Sequence, residues 1–183
     1  MPRVLRRRVL IGVAATVAVA ALLGEGARAG ARASAPGESR LTLYNTHTAE
    51  TLALGDWHDE AATTEAAVSH VLRDHRDGAE HPIDPKLLDL LVALAAACGC
   101  PPVYEVISGY RSPVSNAALH ARSAGVSAHS LHMEGRAIDV RLRGCALERL
   151  RDAGLALGRG GVGYYPGPGF VHLDTGRPRR WDG

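Results

Sequence analysis

The stretch SLHMEGRAID, residues 130–139, contains a polar loop that runs directly into an alternating strand. His132 lies in the loop, and Gly135 allows a sharp turn into the strand. Because side chains alternate along a strand, Ile138 faces a core while Asp139 faces the opposite, accessible side. A carboxylate fixed on a strand beside a loop imidazole is a typical beginning of a metal site.

A second stretch, FVHLD at residues 170–174, has the same alternation. Its aliphatic residues face a core, and His172 and Asp174 share the other face. If the two strands pair, His132, Asp139 and His172 converge. Two imidazoles and one carboxylate would hold a tetrahedral zinc ion with one position open for water, whose pKa zinc lowers towards about 7.

Outside these stretches the pattern predicts an α+β fold, with helices first and a small antiparallel sheet carrying the second half. The expected elements are a hairpin at 41–54, helices at 61–76, 84–98, 112–125 and 147–157, and strands at 103–107, 136–142, 161–165 and 170–174. Asp84 and Pro85 form a typical helix start, and Gly99 a typical end.

The glycine pattern at Gly158, Gly160 and Gly163 fits the dinucleotide fingerprint, but a helix precedes it and no helix follows. Close backbone approach or a tight bend is the better interpretation. The remaining histidines are expected to be ordinary polar residues: His47, His58, His70, His75, His81, His120 and His129.

The N-terminus has the pattern of an export signal. Arginines at positions 3, 6, 7 and 8 precede an uncharged run from Val9 to Leu23, and Ala-Arg-Ala occurs at 27–29 and 31–33. Arg7 and Arg8, with the residues that follow them, also fit the twin-arginine export pattern loosely. The run has 15 residues, short for a membrane anchor of about 20. We therefore expect a signal at 1–33 and one exported domain at 34–183, with no stable membrane span after cleavage.

Removing residues 1–33 changes the charge balance. Of the 21 basic and 19 acidic residues in the chain, 15 and 18 remain, so the net charge becomes −3. A basic surface for nucleic acid is not indicated. The three cysteines, Cys98, Cys100 and Cys145, are an odd number, so no disulfide framework is predicted. One bridge from Cys145 to Cys98 or Cys100 and three buried thiols are both compatible with the sequence.

The motifs together resemble a known group of zinc peptidases. Ser130-x-His132-x-x-Gly135-x-Ala137-x-Asp139, followed by Val171-His172-x-Asp174, is similar to the lysostaphin-type, D-Ala-D-Ala metallopeptidase and hedgehog-like group. A fuller match, to periplasmic murein endopeptidases of the K type, covers residues 41–181. Its further blocks are NTHT (45–48), ISGYRS (107–112), GGVGYYP (160–166) and DTG (174–176).

This resemblance implies that residues 34–183 form a zinc peptidase domain, located in the periplasm or cell envelope. It implies zinc ligands at His132, Asp139 and His172, and hydrolysis of peptide cross-links between peptidoglycan stem peptides. It also matches Arg111 to a position suited to the substrate carbonyl or carboxylate, where a guanidinium could stabilise an oxyanion. A surface salt bridge is the alternative role for Arg111.

The resemblance does not identify the general base of this chain. Related peptidases have a glutamate three residues before the last histidine ligand, where this chain has Gly169. Asp174 is the nearest candidate base, and support of a ligand imidazole is its alternative role. Two other functions stay open: a carboxypeptidase that trims a terminal D-amino acid, and a zinc-stabilised wall-binding module without catalysis. The sequence leaves the oligomeric state open.

Overall fold

The computed structural model describes residues 40–55, 61–123 and 125–183. The proposed signal at 1–33 and His58 lie outside these ranges. Within them the chain forms one mixed sheet of seven strands in the order β2-β1-β3-β4-β6-β5-β7. The strands are β1 (Leu41–Asn45), β2 (Thr51–Leu54), β3 (Val103–Ser108), β4 (Ala137–Leu142), β5 (Gly161–Tyr165), β6 (Phe170–Asp174) and β7 (Arg179–Asp182).

The α+β class is confirmed, but the expected small antiparallel sheet of the second half is wrong. Strands β1, β2 and β3 from the first half join the same sheet. Two pairings are parallel: β1 with β3, and β5 with β7. The connection from β1 to β3 runs through two helices, long enough for the crossover that parallel strands require. The residues of β7 lack apolar alternation, so the sequence pattern does not reveal that strand.

The described helices are α1 (Ala61–Val71), α2 (Pro85–Cys98), α3 (Pro113–His120) and α4 (Leu147–Leu157). Helix α2 begins and ends as predicted: the Asp84 side chain accepts from the Lys86 amide at 3.0 Å, and Gly99 closes it in the left-handed conformation. Helix α1 ends five residues earlier than the expected Arg76. There Asp74 accepts from the Arg76 amide at 3.0 Å and so turns the backbone away.

One face of the sheet forms the core with helices α1, α2 and α4. Leu87, Leu91 and Leu94 of α2 are fully buried there, together with Ile138 of β4 and Leu173 of β6. The opposite side chains of β4 and β6 are therefore left for the site. None of the described helices is long and apolar enough to cross a membrane.

Candidate metal centre

A short 3-10 turn, Leu131–Glu134, positions His132. The Ser130 hydroxyl accepts from the His132 amide at 3.4 Å and starts the turn, and Gly135 ends it with φ of 65°. A Cβ atom at Gly135 would also collide with the Pro82 carbonyl. Glycine is thus required both for the left-handed turn and for the close packing of residue 82.

The other two members of the cluster lie on adjacent strands. In the antiparallel pairing of β4 with β6, Asp139 lies directly opposite His172, and Ala137 opposite Asp174. The strand pairing expected from the two alternating stretches is therefore present. Directly opposite residues have closely spaced Cβ atoms, so the sheet itself brings the carboxylate and the imidazole together.

Three side-chain atoms converge at this point. The Asp139 Oδ1 atom lies 2.9 Å from His172 Nδ1 and 3.3 Å from His132 Nε2, and the two nitrogens are 3.2 Å apart. All three residues are buried. They form the one group of potential metal ligands found among the described residues.

Hydrogen bonds on the far side of each ring fix which nitrogen faces inward. His132 Nδ1 lies 2.7 Å from the Gly109 carbonyl, which can only accept, so this nitrogen carries the proton. His172 Nε2 lies 3.2 Å from Asp174 Oδ2 and donates to that carboxylate. When both rings are neutral, the lone pairs of His132 Nε2 and His172 Nδ1 therefore face Asp139.

The spacing of these atoms fits a small tetrahedral ion. Zinc bonds of about 2.0–2.1 Å give ligand–ligand distances of about 3.3–3.4 Å at the tetrahedral angle. The observed distances of 2.9–3.3 Å lie at or just below the lower limit of this range. Three acceptors turned towards one another at such distances repel unless a cation or proton lies among them, so the donor set fits a metal ion.

The electrostatics of His132 and Asp139 agree with this chemistry, whereas those of His172 favour a proton that a metal ion would have to displace. Burial lowers the pKa of His132, which favours the neutral form that a metal requires. Burial acts the same way on His172, but Asp139 and Asp174 on either side outweigh it and raise its pKa. Although burial opposes ionisation of Asp139, the two imidazoles hold its pKa well below the usual range. The carboxylate is therefore ionised at neutral pH.

Asp174 lies behind His172 and is completely buried. Its carboxylate accepts from the amides of Gly161 at 2.9 Å and Gly176 at 2.8 Å, and from both terminal nitrogens of Arg179 at 3.1 and 2.7 Å. With the contact from His172, these bonds overcome the effect of burial and hold the pKa of Asp174 well below its usual range. The carboxylate is saturated with donors.

Arg111 follows β3 at the expected turn and is buried beside the cluster. Its Nη2 atom lies 3.8 Å from Asp139 Oδ2, and Nη1 donates to the Asn116 side chain at 3.4 Å. The backbone amide of Arg111 donates to the His132 carbonyl at 3.1 Å. The Nε group has no hydrogen-bond partner in the structure. The guanidinium is therefore held near Asp139 with donor capacity unused.

A cleft of about 470 Å³ opens over the cluster. The cleft is lined by Arg111, His132, Asp139 and His172, by residues 123, 125–127 and 129–131, and by three aromatic residues. These aromatics are connected: the Trp181 indole donates to the Tyr165 hydroxyl at 2.8 Å, and the Tyr165 ring stacks on Phe170 at 4.7 Å. The Trp181 ring lies 5.1 Å from that of His172.

Two residues of this site, Arg179 and Trp181, belong to none of the sequence motifs described above. Both lie on β7, which adds to β5 at the sheet edge. A Cβ atom at Gly163 would come within 2.6 Å of the Trp181 ring, and one at Gly160 would collide with the Asp174 carbonyl. The glycine-rich stretch thus allows close approach of the site residues, in agreement with its interpretation above.

His129, expected to be an ordinary polar residue, lines the cleft. Glu134 does not line this cleft. It lines a separate groove together with Arg136, and the two side chains form an ion pair at 3.0 Å. The other described histidines have partners outside the cluster: His47 stacks on His75, His70 contacts Glu50 and Glu80, His81 stacks on Tyr110, and His120 contacts the Val126 carbonyl.

Comparison with known proteins agrees with the geometry. The sequence model of the family described as peptidoglycan L,D-endopeptidase MepK matches residues 33–181. The chain is 41% identical over 150 residues to the protein of that name from Escherichia coli strain K12, covering 81% of this chain and 82% of the relative. It is 36% identical over 157 residues to a probable peptidoglycan L,D-endopeptidase MepK from Haemophilus influenzae, covering 84% of each. No solved structure gave a significant match.

Proposed function

The chain belongs to the peptidoglycan L,D-endopeptidase MepK family, and from this premise we propose that it is a zinc peptidase that cuts peptide cross-links in peptidoglycan. The observation that carries the proposal is the convergence of His132 Nε2, Asp139 Oδ1 and His172 Nδ1 beneath an open cleft. The names of the relatives indicate an L,D-peptide bond as the bond that is cut.

We propose zinc as the ion because two imidazoles and one carboxylate leave a fourth position free, as in catalytic zinc sites. When bound, zinc would supply a water of lowered pKa and polarise the scissile carbonyl. The chain's own contribution is orientation. The Gly109 carbonyl and the Asp174 carboxylate hold the two imidazoles so that their lone pairs face the ion.

Arg111 is proposed to bind the substrate. Its guanidinium is buried, lines the cleft and has an unpartnered Nε group. A fixed cation in a site shielded from water stabilises negative charge that develops on a carbonyl oxygen. The Asp139 carboxylate, whose Oδ2 atom lies 3.8 Å from Nη2, keeps Arg111 oriented.

The contacts of Asp174 favour its alternative role, support of His172, over that of general base. A base must accept a proton near neutral pH, whereas hydrogen bonds hold the pKa of this carboxyl far lower. We therefore propose that Asp174 and Arg179 fix the His172 ring. His129 is then our candidate for proton transfer, because it is the imidazole of the cleft that lies outside the ligand cluster.

The proposed location is the cell envelope, where peptidoglycan is found, after removal of a signal at 1–33. N-terminal sequencing of protein recovered from the envelope tests this. A mature chain that begins at Gly30 or Ser34 supports export by cleavage, and an intact Met1 contradicts it.

Digestion of purified muropeptides tests the reaction. We expect cross-linked dimers to fall to monomers, with about one zinc per chain and loss of activity on chelation. Loss of a terminal residue from monomers would instead show a carboxypeptidase, and no turnover by the zinc-loaded protein would favour a wall-binding module.

Substitution of the ligands connects the metal to the reaction. His132→Ala, Asp139→Ala and His172→Ala should each lose zinc and activity together. His70→Ala is the matched control, because this histidine is exposed on α1 and binds glutamates outside the cleft. Full activity of a metal-free sample would overturn the proposal.

A further inference from the structure

The three cysteines of the chain lie together at the end of the core, away from the cleft. Cys98 ends α2, Cys100 follows two residues later, and Cys145 lies in the connection between β4 and α4. Burial, and then the two neighbouring thiols, raise the pKa of Cys145 to about 12. All three are unlinked in the structure.

The environments of the three thiols differ. Cys98 is 1% exposed, and its sulfur points under α4 towards the Arg149 carbonyl at 3.9 Å. Cys100 and Cys145 are both half-buried and both lie on connecting segments. The Cys100 sulfur lies 3.6 Å from the carbonyl of Gly144, the residue immediately before Cys145. Cys100 is therefore the neighbour of Cys145 that a soluble oxidant can reach.

We propose that Cys100 and Cys145 form a disulfide in the exported protein, leaving Cys98 as a buried free thiol. The bond would join the end of α2 to the segment that follows β4, the strand that carries Asp139. The proposal rests on the proposed export, because disulfides persist in an oxidising compartment. The disulfide needs no peptidase activity, so the disulfide proposal and the peptidase proposal can fail separately.

The chemistry requires an oxidant of the thiol–disulfide class. The Cys100 thiolate attacks the disulfide of the oxidant, which releases one of its sulfurs as a thiol. The Cys145 sulfur then attacks the Cys100 sulfur of the mixed disulfide, and the second sulfur of the oxidant leaves as a thiol. Two electrons and two protons pass from the chain to the oxidant, and one sulfur–sulfur bond replaces another.

Differential labelling of the wild-type chain tests the pairing directly. The protein is equilibrated with oxidised and reduced glutathione, denatured in acid, and alkylated with a first reagent; it is then reduced and alkylated with a second. Trypsin leaves Cys98 and Cys100 on one peptide, 87–111, and Cys145 on another, 144–149, so fragment spectra must assign the labels. We expect the first label on Cys98 alone and the second on Cys100 and Cys145.

Three first labels, or a first label on Cys100, would overturn the proposal. Thermal unfolding gives an independent measurement, because the bond closes a loop of about 45 residues. Reduction should lower Tm by about 5–10 °C in the wild type and in Cys98→Ala. Cys145→Ser should show no such shift, and equal shifts in all three proteins would also contradict the pairing.

Discussion

Replacement of Asp174 by asparagine tests how the proposed metal ligands are held. The substitution keeps the size of the side chain but removes its charge and one of its two acceptor oxygens. Five donor contacts reach the carboxylate, from His172, Gly161, Gly176 and twice from Arg179. The new amide group would point its hydrogens at one of these donor groups, so at least one contact becomes repulsive.

The expected magnitudes follow from those contacts. Loss of a carboxylate that orients a ligand imidazole typically costs about 10–100-fold in metal affinity. Breaking the pair with Arg179 should cost about 3 kcal/mol of unfolding free energy, near the lower limit for a buried pair because the Arg179 side chain is 36% exposed. Turnover measured at saturating zinc should stay within about fivefold of the wild type, since the ligands themselves are intact.

The assay separates affinity from turnover. Zinc affinity is measured by competition with a chromophoric chelator, and turnover on cross-linked muropeptides is measured with zinc in excess. Asp182→Asn on the exposed end of β7 is the matched control. A general base contributes about 10²–10⁴ in rate, and its removal leaves the metal bound. Unchanged zinc affinity with a 100-fold loss of turnover would therefore refute the supporting role and restore Asp174 as the base.

Three further changes test other parts of the structure. Arg111→Gln should retain zinc but lower turnover by about 10²–10³, as for a removed oxyanion donor, and loss of zinc would show a structural role instead. Gly163→Ala should cost about 1–3 kcal/mol in urea unfolding, because its Cβ would meet the Trp181 ring, whereas Gly167→Ala, with open space around its Cβ, should be neutral. Burial lowers the pKa of His75 from 6.5 to about 4, so the unfolded chain binds more protons between these values and stability falls as pH drops through this window. Between pH 7 and 5 the wild type should lose about 1 kcal/mol more than His75→Gln, after allowance for solvent screening, and equal losses would contradict this.

The alternation of FVHLD was sufficient to predict which side chains of β6 face the core, because period-two patterning is a local property. Whether His172 would lie opposite Asp139 depended on the pairing register, which the sequence does not encode in any short window. The prediction that these side chains form a metal site became specific because several family motifs occur in the right order along the chain.

The contribution of β7 could not be predicted in the same way. Its residues Arg179–Asp182 have no apolar alternation, and the strand exists because β5 offers an edge to pair with. Arg179 and Trp181 therefore reach the site by tertiary pairing alone. The apolar periodicity likewise does not predict the early end of α1. The Asp74 side chain accepts from the Arg76 amide, which a continued helix would use for its own backbone hydrogen bond.

The separation of the proposed ligands along the chain has a consequence for the order in which the protein would acquire an ion. His132 and His172 are 40 residues apart, and Asp139 reaches them only across a completed strand pair. A short zinc finger can gather its ion while still unfolded, but here the unfolded chain offers no comparable local chelate. Metal loading should therefore follow folding, so the compartment in which the sheet closes also decides which divalent ion the enzyme receives.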